Sequence, residues 1–364
     1  MFNLVAAALA FLLALAAILF GLTRIGVFVI ERRHPPAGAF VTANATRMHH
    51  VHVPGPGDAS LPPVVFIHGA SGNLKDPMGP LRQHLEGKAE LLFLDRPGHG
   101  WSGRGPAENA TPAGQARTIG ALMDELGMGP AVVVGHSFGG GVAAALALER
   151  PDKVAGLVFV SAASHPWPGG KTSWYYPIAA RPVLGRLFSH LIALPAGWLR
   201  MKMGTACVFS PNPAPDTYSR DAAIPLVLRP ANFRMNAIDV ESLYPHVLEA
   251  APRYNTIKVP TTVISGDSDT VVYEEIHSVG LAGDIPGARL VWVKNLGHKP
   301  DYVTPELVAA AIGAVAGAPE SLLGNVDALA QAAQTRLAGQ DFGPFAACKD
   351  GAPPDLDPEG APAQ

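Results

Sequence analysis

The stretch Ala131-Val132-Val133-Val134-Gly135-His136-Ser137-Phe138-Gly139-Gly140 decides the architecture. An apolar run rich in β-branched residues is stopped by glycine, and an Ala-rich, helix-like segment follows from Phe138 to Glu149. Such a run reads as a strand buried on both faces, the habit of parallel sheets. A serine at a strand-to-helix turn takes a strained backbone and needs neighbours without side chains. Gly135, Gly139 and Gly140 supply that room. Ser137 also sits at a helix amino terminus, where free N–H groups and the helix dipole stabilise developing negative charge. A bare G-x-S-x-G match says little; its place between strand and helix carries the reading.

Working outward, the same pattern repeats. Val64-Val65-Phe66-Ile67 is stopped by His68-Gly69, and Leu91-Leu92-Phe93-Leu94 by Asp95-Arg96-Pro97-Gly98. Leu157 to Val160, Thr262 to Ile264 and Leu290 to Val293 read alike, with helix-like stretches such as Gly114 to Leu126 between runs. This alternation predicts an α/β fold with a mostly parallel central sheet flanked by helices. A serine hydroxyl is a weak nucleophile until a base takes its proton, and the base needs an orienting acid. In open α/β sheets, sites lie past the carboxyl ends of strands. There the sequence places Gly266-Asp267-Ser268-Asp269 and Lys294-Asn295-Leu296-Gly297-His298.

These residues, in the order Ser, Asp, His, resemble the α/β-hydrolase superfamily from about Val51 to Gly317. The resemblance implies a catalytic triad of Ser137, Asp269 and His298, with Asp269 at the last position of G-x-x-D and Asp267 as the alternative acid. It implies an oxyanion hole from the N–H groups of Phe138 and of Ala70, in the loop His68-Gly69-Ala70-Ser71-Gly72. Asp95 to Ser102 resembles the family's D-x-x-G-x-G-x-S loop and reads as structural, with Trp101 a pocket wall. His68, His99 and His136 sit inside such motifs and are expected to serve turn geometry. The resemblance implies cleavage of a carboxylic ester through an acyl-enzyme, with no metal and no organic cofactor. Carbon–carbon bond hydrolase, amidase, thioesterase and perhydrolase chemistries use the same triad, and some proteins of this fold bind ligands without turnover.

Leu4 to Leu22 carries no charge, and about 19 residues at ~1.5 Å each cross a bilayer core of roughly 30 Å. No Lys or Arg precedes it and the nearest A-x-A lies at Ala37-Gly38-Ala39, so it reads as an uncleaved anchor rather than a signal peptide. Pro35-Pro36 is expected to detach this helix from the folded domain. Arg24, Arg32 and Arg33 come after the span, which predicts a membrane protein with its folded domain in the cytoplasm.

Composition excludes other classes. The 364 residues carry a net charge of −3 with no basic run, which argues against a nucleic-acid partner. Only 16% of residues are charged and 48% are hydrophobic, so the chain is no disordered polyelectrolyte. Cys207 and Cys348 make neither a disulfide framework nor a CxxC metal site. The expected organisation is an anchor (1–30), a first core part (31–164), an inserted helical lid rich in Pro and aromatic residues (165–254), a second core part (255–320), and a helix with a disordered tail (321–364). The lid and anchor favour an apolar acyl or lipid-like small-molecule substrate.

Overall fold

The computed structural model describes residues 2–338. It begins with helix α1 (Phe2–Arg33), then strands β1 (Ala39–Ala43), β2 (Thr46–Val53) and β3 (Val64–Ile67), helix α2 (Lys75–Leu85) and strand β4 (Leu91–Leu94). Helix α3 (Pro112–Glu125), β5 (Ala131–His136), α4 (Phe138–Glu149) and β6 (Val154–Val160) come next. Then come five helices without a strand: α5 (Tyr175–Ala180), α6 (Leu184–Phe188), α7 (Leu194–Phe209), α8 (Tyr218–Asp221) and α9 (Pro230–Ala250). The alternation resumes with β7 (Thr261–Gly266), α10 (Glu274–Asp284) and β8 (Arg289–Val293), and ends in α11 (Pro300–Val303), α12 (Pro305–Val315), α13 (Glu320–Leu323) and α14 (Val326–Leu337).

The eight strands form one sheet in the order β1-β2-β4-β3-β5-β6-β7-β8. From β4 to β8 every pairing is parallel, and β1 and β2 pair antiparallel. Successive residues of the parallel strands feed two different cores. Val65, Ile67, Val133, Leu157, Phe159 and Val263 pack with Ile119 of α3 and Val142 of α4. Val64, Phe66, Phe93, Val132, Val158 and Ile264 pack with Leu81 of α2 and Ile312 of α12. Both faces are therefore dry, which is why these strands read as unbroken apolar runs. Phe66 and Phe93 are register partners whose rings stack at 4.4 Å.

Strands β1 and β2 were not expected, because their polar residues hide the period-two pattern. His49 is nevertheless buried, and its Nδ1 lies 2.7 Å from Asp95 Oδ2. Asn44 and Ala45, both at positive φ, make the two-residue hairpin turn. At the other end, the helix expected at the start of 321–364 is divided by Gly324 at φ 99°, and Asn325 caps α14 by accepting from Ala328 N–H. The expected disordered tail beyond Ala338 lies outside the described residues.

Helix α1 has the length and apolarity to cross a membrane, a property shared by anchors and signal sequences. It runs unbroken through Arg24, and Pro35-Pro36 does not detach it. Ile30 is buried with Leu194, Ala223, Leu226 and Leu228, and Glu31 pairs with Arg229 at 3.3 Å. Trp101 belongs to this junction rather than to a pocket wall: its indole N–H donates to His34 O at 3.1 Å and Arg229 lies over its ring.

Candidate active site

Ser137 occupies the sharp turn between β5 and α4 at φ 52°, ψ −123°, a backbone conformation that costs about 1–3 kcal/mol and persists only when its surroundings enforce it. Ser137 N–H donates to Val160 O, while its carbonyl accepts from Gly140 and Ala163. Gly139 cannot carry a side chain, since a Cβ there would lie 2.2 Å from Ile67 O. The loop after β3 presses equally close: a Cβ on Gly69 would meet Ser137 Cβ at 3.1 Å and His136 Nδ1 at 3.0 Å. Ala70 N–H and Phe138 N–H, one from each side of this contact, donate to no acceptor among the described residues.

The loops after β7 and β8 bring Asp269 and His298 together. His298 Nδ1 is 2.7 Å from Asp269 Oδ2, and the two side chains are 3% and 0% exposed. An ionised carboxylate only accepts, so the imidazole proton sits on Nδ1 and Nε2 keeps a free lone pair. The other oxygen of Asp269 accepts from the N–H groups of Val271 and Val272. Asp267 points elsewhere, accepting from Ser268 and from Asn295 N–H on the surface. His298 O accepts from Nε2 of His136, the residue before the serine, at 2.9 Å. Ser137 Oγ makes no hydrogen bond to His298 among the described residues, an arrangement common before substrate binds.

The other motif histidines are structural. Nδ1 of His68 donates to Gly69 O, and its Nε2 accepts from Arg96 N–H. Burial drives the pKa of His68, His99 and His136 well below the usual imidazole value, so all three are neutral at neutral pH.

Sequence reasoning missed the polar network around Arg96. Its guanidinium is fully buried, donates to His68 O at 3.0 Å and Gly69 O at 3.1 Å, and lies 4.4 Å over the Phe138 ring. It therefore grips the chain on both sides of the two free N–H groups. Desolvation lowers its pKa to about 10, still charged at neutral pH. Asp239 of α9, at 2.9 Å, balances it together with Arg104 at 2.6 Å from the same carboxylate. Along one face of α9, Asn232 donates to Gly98 and Gly100, Asn236 accepts from Ser71 N–H, and Leu243 abuts Gly141. The spacing Asn232, Asn236, Asp239, Leu243 is a helical face, the one signal available in the sequence.

The histidine loop is braced similarly. Asn212, just past α7, accepts from Gly297 N–H at 2.8 Å. Asp76, His136 and Asp301 are close enough to share a metal ion. Lys299, 1% exposed, already bonds both carboxylates at 3.0–3.1 Å. That ammonium supplies the cluster's positive charge.

A family described as the alpha/beta hydrolase fold matches residues 62–201. The chain is 39% identical over 106 residues to a mouse (Mus musculus) sn-1-specific diacylglycerol lipase, a match covering 29% of this chain and 34% of the lipase. The chain thus spans about a third of that relative's length. It is 25% identical over 279 residues to a 2-hydroxy-6-oxononadienedioate/2-hydroxy-6-oxononatrienedioate hydrolase of Comamonas testosteroni, covering 74% of this chain and 92% of that one. An esterase structure from Exiguobacterium antarcticum superposes with a TM-score of 0.62 at 19% identity, covering 77% of this chain and 100% of the esterase. The chain has the α/β-hydrolase fold, and these relatives are named as hydrolases.

Proposed function

We propose that this protein is a membrane-anchored serine hydrolase that cleaves a carboxylic ester with an apolar acyl group. The observation that carries the reading is the strained Ser137 between two unpaired N–H groups, past the same carboxyl-terminal end of the strands as the Asp269–His298 pair. In this mechanism His298 Nε2 takes the Ser137 proton as Oγ attacks the carbonyl carbon. Asp269 holds the tautomer and stabilises the imidazolium. The oxyanion forms against Phe138 and Ala70 N–H, donors typically worth about 2.7–4 kcal/mol each in the transition state. His298 then protonates the leaving alcohol, and a water deprotonated by His298 releases the acid.

Ser137 is only 8% exposed, and α9 closes the loops beside it. The helices between β6 and β7 therefore act as a lid that must shift to admit substrate. Helix α1 is the anchor, with the catalytic domain on the cytoplasmic side.

The test is a fluorophosphonate probe with an ester chain-length panel, applied to the wild type and to Ser137→Ala. Labelling that Ser137→Ala abolishes, together with an ester rate falling about 10³-fold or more, is the expected result. A folded wild type that neither labels nor turns over any ester would mark a ligand-binding member of the fold instead.

A further inference from the structure

Charge and apolar surface are distributed unevenly over the helices inserted after β6. Between Asp152 and Asp216 the sequence has no acidic residue, although the chain as a whole is acidic. Arg181, Arg186, Arg200 and Lys202 in that interval are exposed, and none forms an ion pair among the described residues. Among these cations lie large exposed apolar side chains: Trp174 at 67%, Val183 at 67% and Leu199 at 86%, with Leu184, Leu187 and Trp198 also exposed. An apolar surface rimmed by unpaired cations is the composition of an interfacial membrane face.

The position of α1 says what covers it. Its outer part is bare, but from Phe20 onward it runs beside the insertion. Phe20 stacks on His190 with centroids 6.2 Å apart, Leu194 fills the space beside Gly26, and Ile30 is buried. If Leu4–Leu22 fills a hydrocarbon layer of about 30 Å, Phe20 lies in the last turn inside it. His190 and the neighbouring α6 then stand at the boundary of that layer. Exposed Ile25 and Phe28 continue the apolar strip of α1 alongside α7.

We propose that α5, α6 and the start of α7 form a second membrane contact, lying in the bilayer interface with their cations on anionic lipid headgroups. The inference rests on reading α1 as an anchor. It goes beyond that reading by placing α5 and α6, which pack on the α9 helix beside the Ser137 loops, on the lipid surface, so that substrate enters from the bilayer.

The full chain is reconstituted in phosphatidylcholine–phosphatidylglycerol vesicles carrying acyl chains brominated near the headgroup. Tryptophan emission is read, and retention after alkaline carbonate reports α1 separately. The expected result is retention with quenching, most of it lost in Trp174→Phe/Trp198→Phe. In Arg181→Glu/Arg186→Glu/Arg200→Glu/Lys202→Glu the quenching should drop to the level seen in phosphatidylcholine alone. Retention with quenching that the tryptophan variant does not reduce overturns the proposal, leaves the anchor standing and returns this face to a protein partner. Extraction by carbonate with quenching intact would remove the anchor and keep the interfacial face. Extraction without quenching would remove both.

Discussion

The sheet and the helices inserted after β6 are held by opposite means. The parallel strands β3 to β7 are buried on both faces and interlock through Val, Ile, Leu and Phe, with no polar side chain needed to set their register. The insertion meets the core through directed polar contacts: Asn236 to Ser71, Asp239 to Arg96, Asn212 to Gly297. Its outer surface keeps apolar residues exposed. Non-directional burial gives a rigid platform, whereas directed bonds position particular backbone groups. The insertion adds directed bonds of this second kind to the oxyanion loop and the histidine loop, which Arg96 and His136 of the core hold from within.

The largest effect that sharpens this contrast lies on the platform's edge. Asp269→Asn is expected to lower kcat about 10⁴-fold while Asp267→Asn stays near wild type, checked by ester hydrolysis of both. Next comes the seam between the regions. Asp239→Ala leaves Arg96 and Arg104 without their carboxylate inside the protein, and breaking a buried pair this way costs about 3–5 kcal/mol, read by urea unfolding. If the seam only glues the regions together, ester kcat per folded molecule should be unchanged. A fall in kcat at unchanged KM is expected from a loosened oxyanion loop.

Acid attacks both regions together. His68, His99 and His136 are held neutral by burial, and His277 and His246 have pKa values lowered to about 3 and about 4 by the same cause. Below about 6.5 the unfolded chain binds protons that the folded chain refuses. Stability is therefore complete above pH 6.5 and declines as pH falls from there toward 3, which thermal melts across that range would register. The smallest effect belongs to the outer face of the insertion. Leu199→Ser, at a side chain 86% exposed, should move unfolding free energy by no more than about 0.5 kcal/mol.

How legible the molecule was follows the same division. All six expected strands are present, with Val64–Ile67 and Leu91–Leu94 at the expected bounds, because burial on both faces leaves an unbroken apolar run. The hairpin β1–β2 escaped because His49 is buried through a partner, Asp95, that lies 46 residues away. Asp269 and Asp267 remained alternatives in the sequence. Only the folded loops show which carboxylate faces His298 and which turns to Asn295. Asn236 and Asp239 left only a helical spacing as a signal and Asn212 left none, since an isolated Asn or Asp is ordinarily a solvated side chain.

By itself, the sequence determined the alternating α/β plan, the strand-to-helix turn at Ser137 and the apolar α1. Each of these rests on local properties, namely side-chain period, glycine spacing and an uncharged run long enough to span a bilayer. Tertiary structure alone decided which acid meets the histidine, that Arg96 grips the loop of Ala70, and that α1 packs against the insertion instead of hanging free at Pro35-Pro36. Those outcomes depend on partners up to 198 residues apart, as in the pair Arg229–Glu31, and no local pattern encodes a contact made at that distance along the chain.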